Sequence, residues 1–227
     1  MKSKKNLIYS HYHYKFFDKI IFKKRLEIVK IIQTQIDDFK IKDVLDIGTT
    51  NDDKNNSSNI IVKNLKRLKN FKSISNQKIK SSFFKKKLNK SITGNFSKKE
   101  FNELRSDLVI SNATIEHVGS LRNQKKMISN MIKFSKKIFI IITPNRYYPI
   151  DFHTKLPFFH WLPKPLHRLI LNFIGLKFYA NEKNLNLLSK NDFKNIIDQK
   201  EVSFRITSIN LLKLPSNLIL IGKKSKF

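Results

Sequence analysis

Three short apolar runs constrain this chain most: Asp43-Val44-Leu45-Asp46-Ile47-Gly48, Asp107-Leu108-Val109-Ile110-Ser111-Asn112 and Ile138-Phe139-Ile140-Ile141-Ile142. Each is too short for a helix and too continuously apolar for a half-exposed strand. Each also stops abruptly, at a glycine, at polar residues, or shortly before Pro144. That is the pattern of a strand buried on both faces. Between the second and third runs, Leu121, Met127, Ile128, Met131 and Phe134 recur on one face of a helix spanning 121–134. Ahead of the first, Phe16, Ile20, Ile21, Leu26, Ile28, Val29, Ile32 and Ile36 recur at near-helical spacing. Strands alternating with helices dictate an α/β fold with a mostly parallel sheet covered on both faces.

The weaker elements fill in around this frame. A short helix is expected within 58–68, a strand at Lys72-Ser73-Ile74-Ser75, and a further short strand at Ser91-Ile92-Thr93. Leu166–Leu176 reads as an amphipathic helix and Asp192–Ile197 as a short one. Two closing strands, 204–212 and 218–222, are joined through Pro215-Ser216-Asn217, a hairpin signal that makes them antiparallel. The segment 144–165 stands apart: it holds five of the six prolines and the only tryptophan, Trp161, so no regular helix spans it. The expected organisation is a single domain: an N-terminal helical region 1–40, a ligand-binding core 41–145, a lid insertion 146–190, and a closing helix and hairpin 191–227. A polar-aromatic cluster, His11-Tyr12-His13-Tyr14, precedes the first helix.

Composition removes some classes of chemistry. With no cysteine, the chain forms no disulfide, zinc–thiolate site, iron–sulfur cluster or thiol nucleophile. Neither a signal-peptide pattern nor an apolar stretch long enough to cross a bilayer is visible, so a cytoplasmic protein is expected, or one peripheral at the inner face of the membrane. The formal net charge of +29 attracts polyanions such as nucleic acid, anionic lipid or acidic glycans. The lysines are scattered along the chain, however, and the same excess follows from a composition rich in Lys, Asn and Ile.

Ligands of open parallel sheets sit at the carboxyl ends of the strands. The loops to inspect therefore begin at Asp46, Ser75, Thr93, Asn112 and Thr143. After the first strand, Gly48 lets backbone approach a ligand without a Cβ in the way, and Asp46 offers a carboxylate to a cationic group. Val44-Leu45-Asp46-Ile47-Gly48 resembles motif I of class I S-adenosyl-L-methionine (SAM)-dependent methyltransferases. Asp107-Leu108-Val109-Ile110-Ser111-Asn112-Ala113-Thr114-Ile115-Glu116-His117-Val118 is similar to the fourth-strand motif of the type 11 group of that family, and Ile141-Ile142-Thr143-Pro144-Asn145 resembles its fifth-strand ending. The resemblance covers 41–145 well and 200–224 loosely. It implies a Rossmann-like three-layer sandwich: a mostly parallel seven-stranded sheet with a terminal antiparallel hairpin. It also implies SAM as cofactor, held at Asp46, Gly48 and Thr49 for the methionine part, Asn76 for the ribose, Asn95 for the adenine amine, and Asn112 and Ala113 flanking the sulfonium.

Two departures stand out. Only Gly48 remains of the family's glycine-rich loop, with Thr50 and Asp52 in the other places, and an amide, Asn76, stands where an acid is usual. His117, after Glu116, and His153, near Asp151, are the candidate bases for removing an acceptor proton. His153, His160 and His167 are evenly spaced, but prolines between them break any helix that would align them, and no metal is expected. The implied activity is methyl transfer to a small-molecule, glycan or lipid-precursor acceptor. A basic RNA-binding or RNA-modifying protein and a non-catalytic member of the fold stay open. The aromatic and basic residues of 146–180 suit either a lid packed on its own core or one resting on an anionic membrane surface.

Overall fold

The computed structural model describes residues 15–37, 39–51, 59–197 and 202–224; the His11–Tyr14 cluster lies outside them. In chain order the elements are α1 (Lys15–Asp37), β1 (Asp43–Ile47), α2 (Ile60–Asn64), β2 (Asn70–Ser75), β3 (Lys86–Asn89), α3 (Lys98–Leu104), β4 (Ser106–Asn112), α4 (Leu121–Phe134) and β5 (Ser135–Pro144). There follow α5 (Lys164–Phe173), α6 (Lys177–Ala180), α7 (Lys190–Ile196), β6 (Val202–Leu211) and β7 (Leu214–Lys224).

The strands form one seven-stranded sheet in the order β3-β2-β1-β4-β5-β7-β6. The pairs from β3 through β5 are parallel. Strand β7 runs antiparallel to both β5 and β6. The period-2 alternation of a strand explains why both faces are covered. Val44, Leu108, Ile110, Ile138, Ile140 and Ile142 join one core with Ile28, Ile32 and Ile36 of α1 and Ile60 and Ile61 of α2. Their neighbours Leu45, Ile47, Val109, Phe139 and Ile141 point the other way, onto Met127, Ile128 and Met131 of α4 and Phe193 of α7. The continuous apolar runs are thus two alternating sets, one per face.

The sheet's less apolar strands are where sequence and structure differ. The third strand is Lys86-Lys87-Leu88-Asn89, not Ser91-Ile92-Thr93. As an edge strand, β3 is held by backbone pairing to β2 alone and carries exposed lysines, which guard an open edge against further pairing. Ser91–Gly94 is a turn closed by the Gly94 amide on the Ser91 carbonyl (2.9 Å), and only Ile92 dips into the core. The hairpin turn also lies elsewhere. Leu212 and Lys213, both in left-handed backbone (φ 52° and 66°), make it, while Pro215, Ser216 and Asn217 belong to β7. Pro215 is tolerated there because it sits at a register shift, opposite Asn210, where the ladder is already irregular. Helix α4 falls where its apolar stripe places it. Helix α2 is only Ile60–Asn64, shorter than the expected 58–68. Helix α5 starts at Lys164, with Pro165 in its first turn, and gives way to Gly175 at φ +83°.

Candidate active site

The carboxyl ends of β1 and β4 meet. Ile47 pairs with Ser111, whose hydroxyl donates to the Ile47 carbonyl at 3.0 Å. At the β1 tip, Gly48 has φ +86°, and a Cβ built there would lie 2.0 Å from Oγ1 of Thr114. The glycine is therefore required twice, by its backbone and by Thr114 packed against it. The sequence reading reserved that space for a ligand, but the structure gives it to Thr114. At the β4 tip, Ala113 is exposed and has φ +50°, a left-handed conformation that costs a non-glycine residue on the order of 1–2 kcal/mol. Backbone strain of this kind concentrates at functional sites. Asn112, half-buried, ends the strand beside it.

Asp46 is buried, and its carboxylate accepts the Thr49 hydroxyl at 2.6 Å. Burial pushes its pKa up to about 6, the Thr49 hydrogen bond opposing. Stability therefore falls as pH rises from the ordinary carboxylate value of 3.8 through about 6, unless a cation arrives. Thr49 is also buried, and its carbonyl accepts the Ser75 hydroxyl at 2.7 Å, tying the loop to β2. The missing glycines are replaced by amide clamps. Asn59 accepts from the Thr50 amide (3.0 Å) and donates to the Thr50 carbonyl (2.9 Å), and the Asn51 amide donates to Gln77 (3.2 Å). Thr50 is not in left-handed backbone; Asp52 lies outside the described residues.

Asn76 is exposed just past β2. With its amide nitrogen facing them, Asn89 donates to the carbonyls of Ser75 (3.0 Å) and Asn76 (3.1 Å). Asn89, rather than Asn95, is thus the polar residue ending the third strand. Asn95 lies beyond the turn and accepts from Lys126 of α4 at 2.8 Å.

Past β4, a 3-10 turn, Ile115–His117, carries two further groups. Glu116 is fully buried; its Oε2 accepts from the Thr143 hydroxyl at 2.9 Å, while Oε1 has no partner. His117 Nδ1 lies 2.6 Å from the Asn184 carbonyl. A carbonyl only accepts, so Nδ1 carries the proton and Nε2 keeps a lone pair. Burial holds His117 below the ordinary histidine value, so the ring is neutral near pH 7.

The loop after β5 brings His153 to His117, with ring centroids 5.0 Å apart at 79°. His153 Nδ1 lies 3.1 Å from Oδ1 of Asp151 and carries a proton toward it, since a carboxylate only accepts. Burial alone would raise the Asp151 pKa. Hydrogen bonds and charge from His153, with hydrogen bonds from Thr154, instead hold it well below the usual carboxylate range. Tyr179 stands beside the pair, its ring 6.2 Å from His153. One donor atom each from Glu116, His117 and His153 lies within 4.8 Å of the others, a spacing a divalent cation suits. The evenly spaced trio divides instead: His153 joins His117, while His160 and His167 form a separate pair 6.4 Å apart.

The return of the lid is stitched to this turn by Asn186, which the sequence gave no reason to single out. Its amide nitrogen donates to the Glu116 carbonyl (2.7 Å), its side chain to Gly119 (2.8 Å), and its carbonyl accepts from Gln124 (2.8 Å). Asn184 and Asn186 reach the site only through the fold, and no spacing or periodicity marks them.

No protein-family profile and no curated protein matches the sequence. Solved structures do match in fold. Magnesium protoporphyrin IX methyltransferase from Synechocystis PCC 6803 with bound SAH aligns with 96% of this chain and 91% of its own, at 14% identity and a TM-score of 0.56. The N-methyltransferase NodS from Bradyrhizobium japonicum WM9 in complex with S-adenosyl-L-homocysteine (SAH) aligns with 89% of this chain and 87% of its own, at 8% identity and a TM-score of 0.52. A small RNA methyltransferase aligns with 88% of this chain and 25% of its own, at 14% identity and a TM-score of 0.55. With the strand order, the antiparallel β7 and the joined tips of β1 and β4, these matches establish that the chain has the fold of the class I SAM-dependent methyltransferases.

Proposed function

We propose that this protein is a SAM-dependent methyltransferase acting on a small-molecule, glycan or lipid-precursor acceptor. The observation that carries the reading is Asp46. A carboxylate buried at the β1 tip, with no cationic side chain among the described residues contributing to its electrostatics, fits the ammonium group of the cofactor's methionine part. Gly48 and Thr49 would hold the same part, Asn76 the ribose, and Asn112 and Ala113 the sulfonium side. For the adenine amine, the strand ending at Asn89 makes that amide a better candidate than Asn95. When bound, SAM supplies an electrophilic methyl group.

The protein's own contribution is alignment and proton removal. His153, oriented by Asp151, takes the acceptor's proton; neutral His117 supports it from the other side. The lid 146–190 keeps water from the acceptor. Isothermal titration with SAH tests the cofactor reading: one saturable site is expected, and an absence of heat together with an unmoved melting temperature favours a non-catalytic member of the fold.

Among the described residues no helix is long and apolar enough to cross a membrane. Helix α5 nevertheless turns Leu166, Leu169 and Phe173 outward, with Phe173 90% exposed, and Phe158 and Trp161 are exposed nearby. This surface on a chain of net charge +29 supports a lid that rests on an anionic bilayer. Flotation with phosphatidylglycerol vesicles is expected to recover the protein, and Leu169→Glu/Phe173→Glu to lower that recovery several-fold. Equal recovery of both proteins removes the membrane reading.

A further inference from the structure

Beside Tyr179, the lid forms a small cleft open to solvent. Arg146, His160, Lys164, His167, Arg168 and Tyr179 line it, and no carboxylate does. Each cation is held in place. Arg146 donates to the carbonyls of His160 (3.1 Å) and Leu162 (2.8 Å), and Lys164 donates to Oδ1 of Asn186 (2.7 Å). Arg168 pairs with Glu182 at 3.0 Å. Burial lowers the Lys164 pKa; Arg146 and Arg168 push it the same way, while Asp192 and Glu182 oppose. Both arginines are thus close enough to act on Lys164.

The two histidines add an independent sign. His160 is 2% exposed and His167 9%, and each has one ring nitrogen, Nδ1 and Nε2 respectively, with no hydrogen-bond partner. His160 Nε2 lies 2.7 Å from the Tyr148 carbonyl and so carries the proton, leaving Nδ1 as a bare acceptor. An unsatisfied buried polar atom costs on the order of 1–3 kcal/mol, so a native one calls for an explanation. Fixed cations with N–H groups to spare, beside a ring nitrogen that lacks a donor, describe the inverse of a hydrogenphosphate group.

We propose that this cleft is a phosphate-recognition site that anchors the methyl acceptor by a phosphate group. Its position suits that role. Tyr179 lines the cleft and also stands against His153, so a molecule gripped by its phosphate extends toward the candidate base. Arg146 lies two residues past the end of β5, and Lys164 is held by the asparagine that braces Glu116. Naming the ligand as the acceptor rests on the methyltransferase reading; the anion site itself does not.

The test measures inorganic phosphate binding to the full chain by calorimetry in a phosphate-free buffer of constant ionic strength. One saturable site is expected, weakened about tenfold or more by Arg168→Gln and by Lys164→Met, with melting temperatures confirming that both fold. Lys86→Gln and Lys40→Gln, exposed charges at the amino ends of the strands, control for the general charge of the chain and are expected to leave binding unchanged. Absent binding, or equal weakening by all four variants, overturns the proposal. The readout needs neither SAM nor turnover, so failure to bind SAH leaves it standing as an anion site. Phosphatidylcholine vesicles with and without phosphatidic acid then separate the sources. Loss of retention in Arg168→Gln beyond Lys86→Gln assigns the site to a lipid phosphate. Equal loss in the two, with soluble phosphate binding still dependent on Arg168, assigns it to a soluble phosphate ester.

Discussion

Gly48→Ala is expected to cost roughly 2–5 kcal/mol of folding stability and to weaken SAH binding on the order of 100-fold or more. Two costs add. An L-residue at φ +86° pays about 1–2 kcal/mol in backbone conformation. The new methyl also falls within 2.0–2.8 Å of three Thr114 atoms, and relieving such overpacking costs about 1–3 kcal/mol. Thr114 cannot simply step aside, because its hydroxyl is hydrogen-bonded to the Asn112 carbonyl at 3.1 Å on the neighbouring tip. The substitution therefore pries apart the two strand ends that the cofactor needs together. Urea denaturation and SAH calorimetry measure the two effects separately. Gly48→Ala/Thr114→Gly removes the side-chain collision but not the backbone cost, so it should recover the overpacking share and leave the conformational one. A Gly48→Ala protein with unaltered stability and SAH affinity would show that the packing of these tips does not shape the cofactor site.

The second large effect concerns the histidine pair. His153→Ala is expected to lower kcat by about 10²–10⁴-fold with KM changed only a few-fold, because a positioned base acts mainly in the transition state. The measurement uses an acceptor found by screening for SAH release. SAH affinity should not move, since His153 is assigned to the acceptor. Asp151→Asn keeps the size of the side chain but replaces the carboxylate that holds the His153 ring at Nδ1, so it should cut kcat with SAH affinity unchanged. Treatment with EDTA is expected to leave the wild-type rate intact. A rate abolished by EDTA and restored by a divalent ion would overturn the base assignment in favour of metal ligation by Glu116, His117 and His153.

How much of this was legible in the sequence follows from where burial is complete. Strands β1, β4 and β5 are covered on both faces, so their apolar runs announce them. Helix α4 is amphipathic and equally plain. Strand β3 is an edge held by backbone bonds, and Lys86-Lys87-Leu88-Asn89 carries no pattern to read; mislocating it also carried the adenine candidate to Asn95. The hairpin turn was misplaced because Leu212 and Lys213 adopt left-handed backbone without the usual glycine or asparagine, while Pro215 hides inside a strand irregularity. In the site, Asp46, Gly48, Asn112 and Ala113 were readable as strand ends. The meeting of His117 with His153 was not, since it depends on the route of a proline-rich loop. The division of the evenly spaced histidines into two pairs depends on the same loop.

That loop leaves and re-enters the scaffold at one point. Asn145 bridges Leu188, and the Arg146 amide donates to the Leu188 carbonyl at 3.0 Å, so everything between is a detour whose two ends are already joined. Exchanging such a detour requires no new chain closure and leaves the strand order behind it intact. Evolution can therefore rewrite what this loop contacts as a self-contained cassette while the joined tips of β1 and β4 stay the same. A chimera carrying another enzyme's detour between Asn145 and Leu188 is the natural way to retarget it.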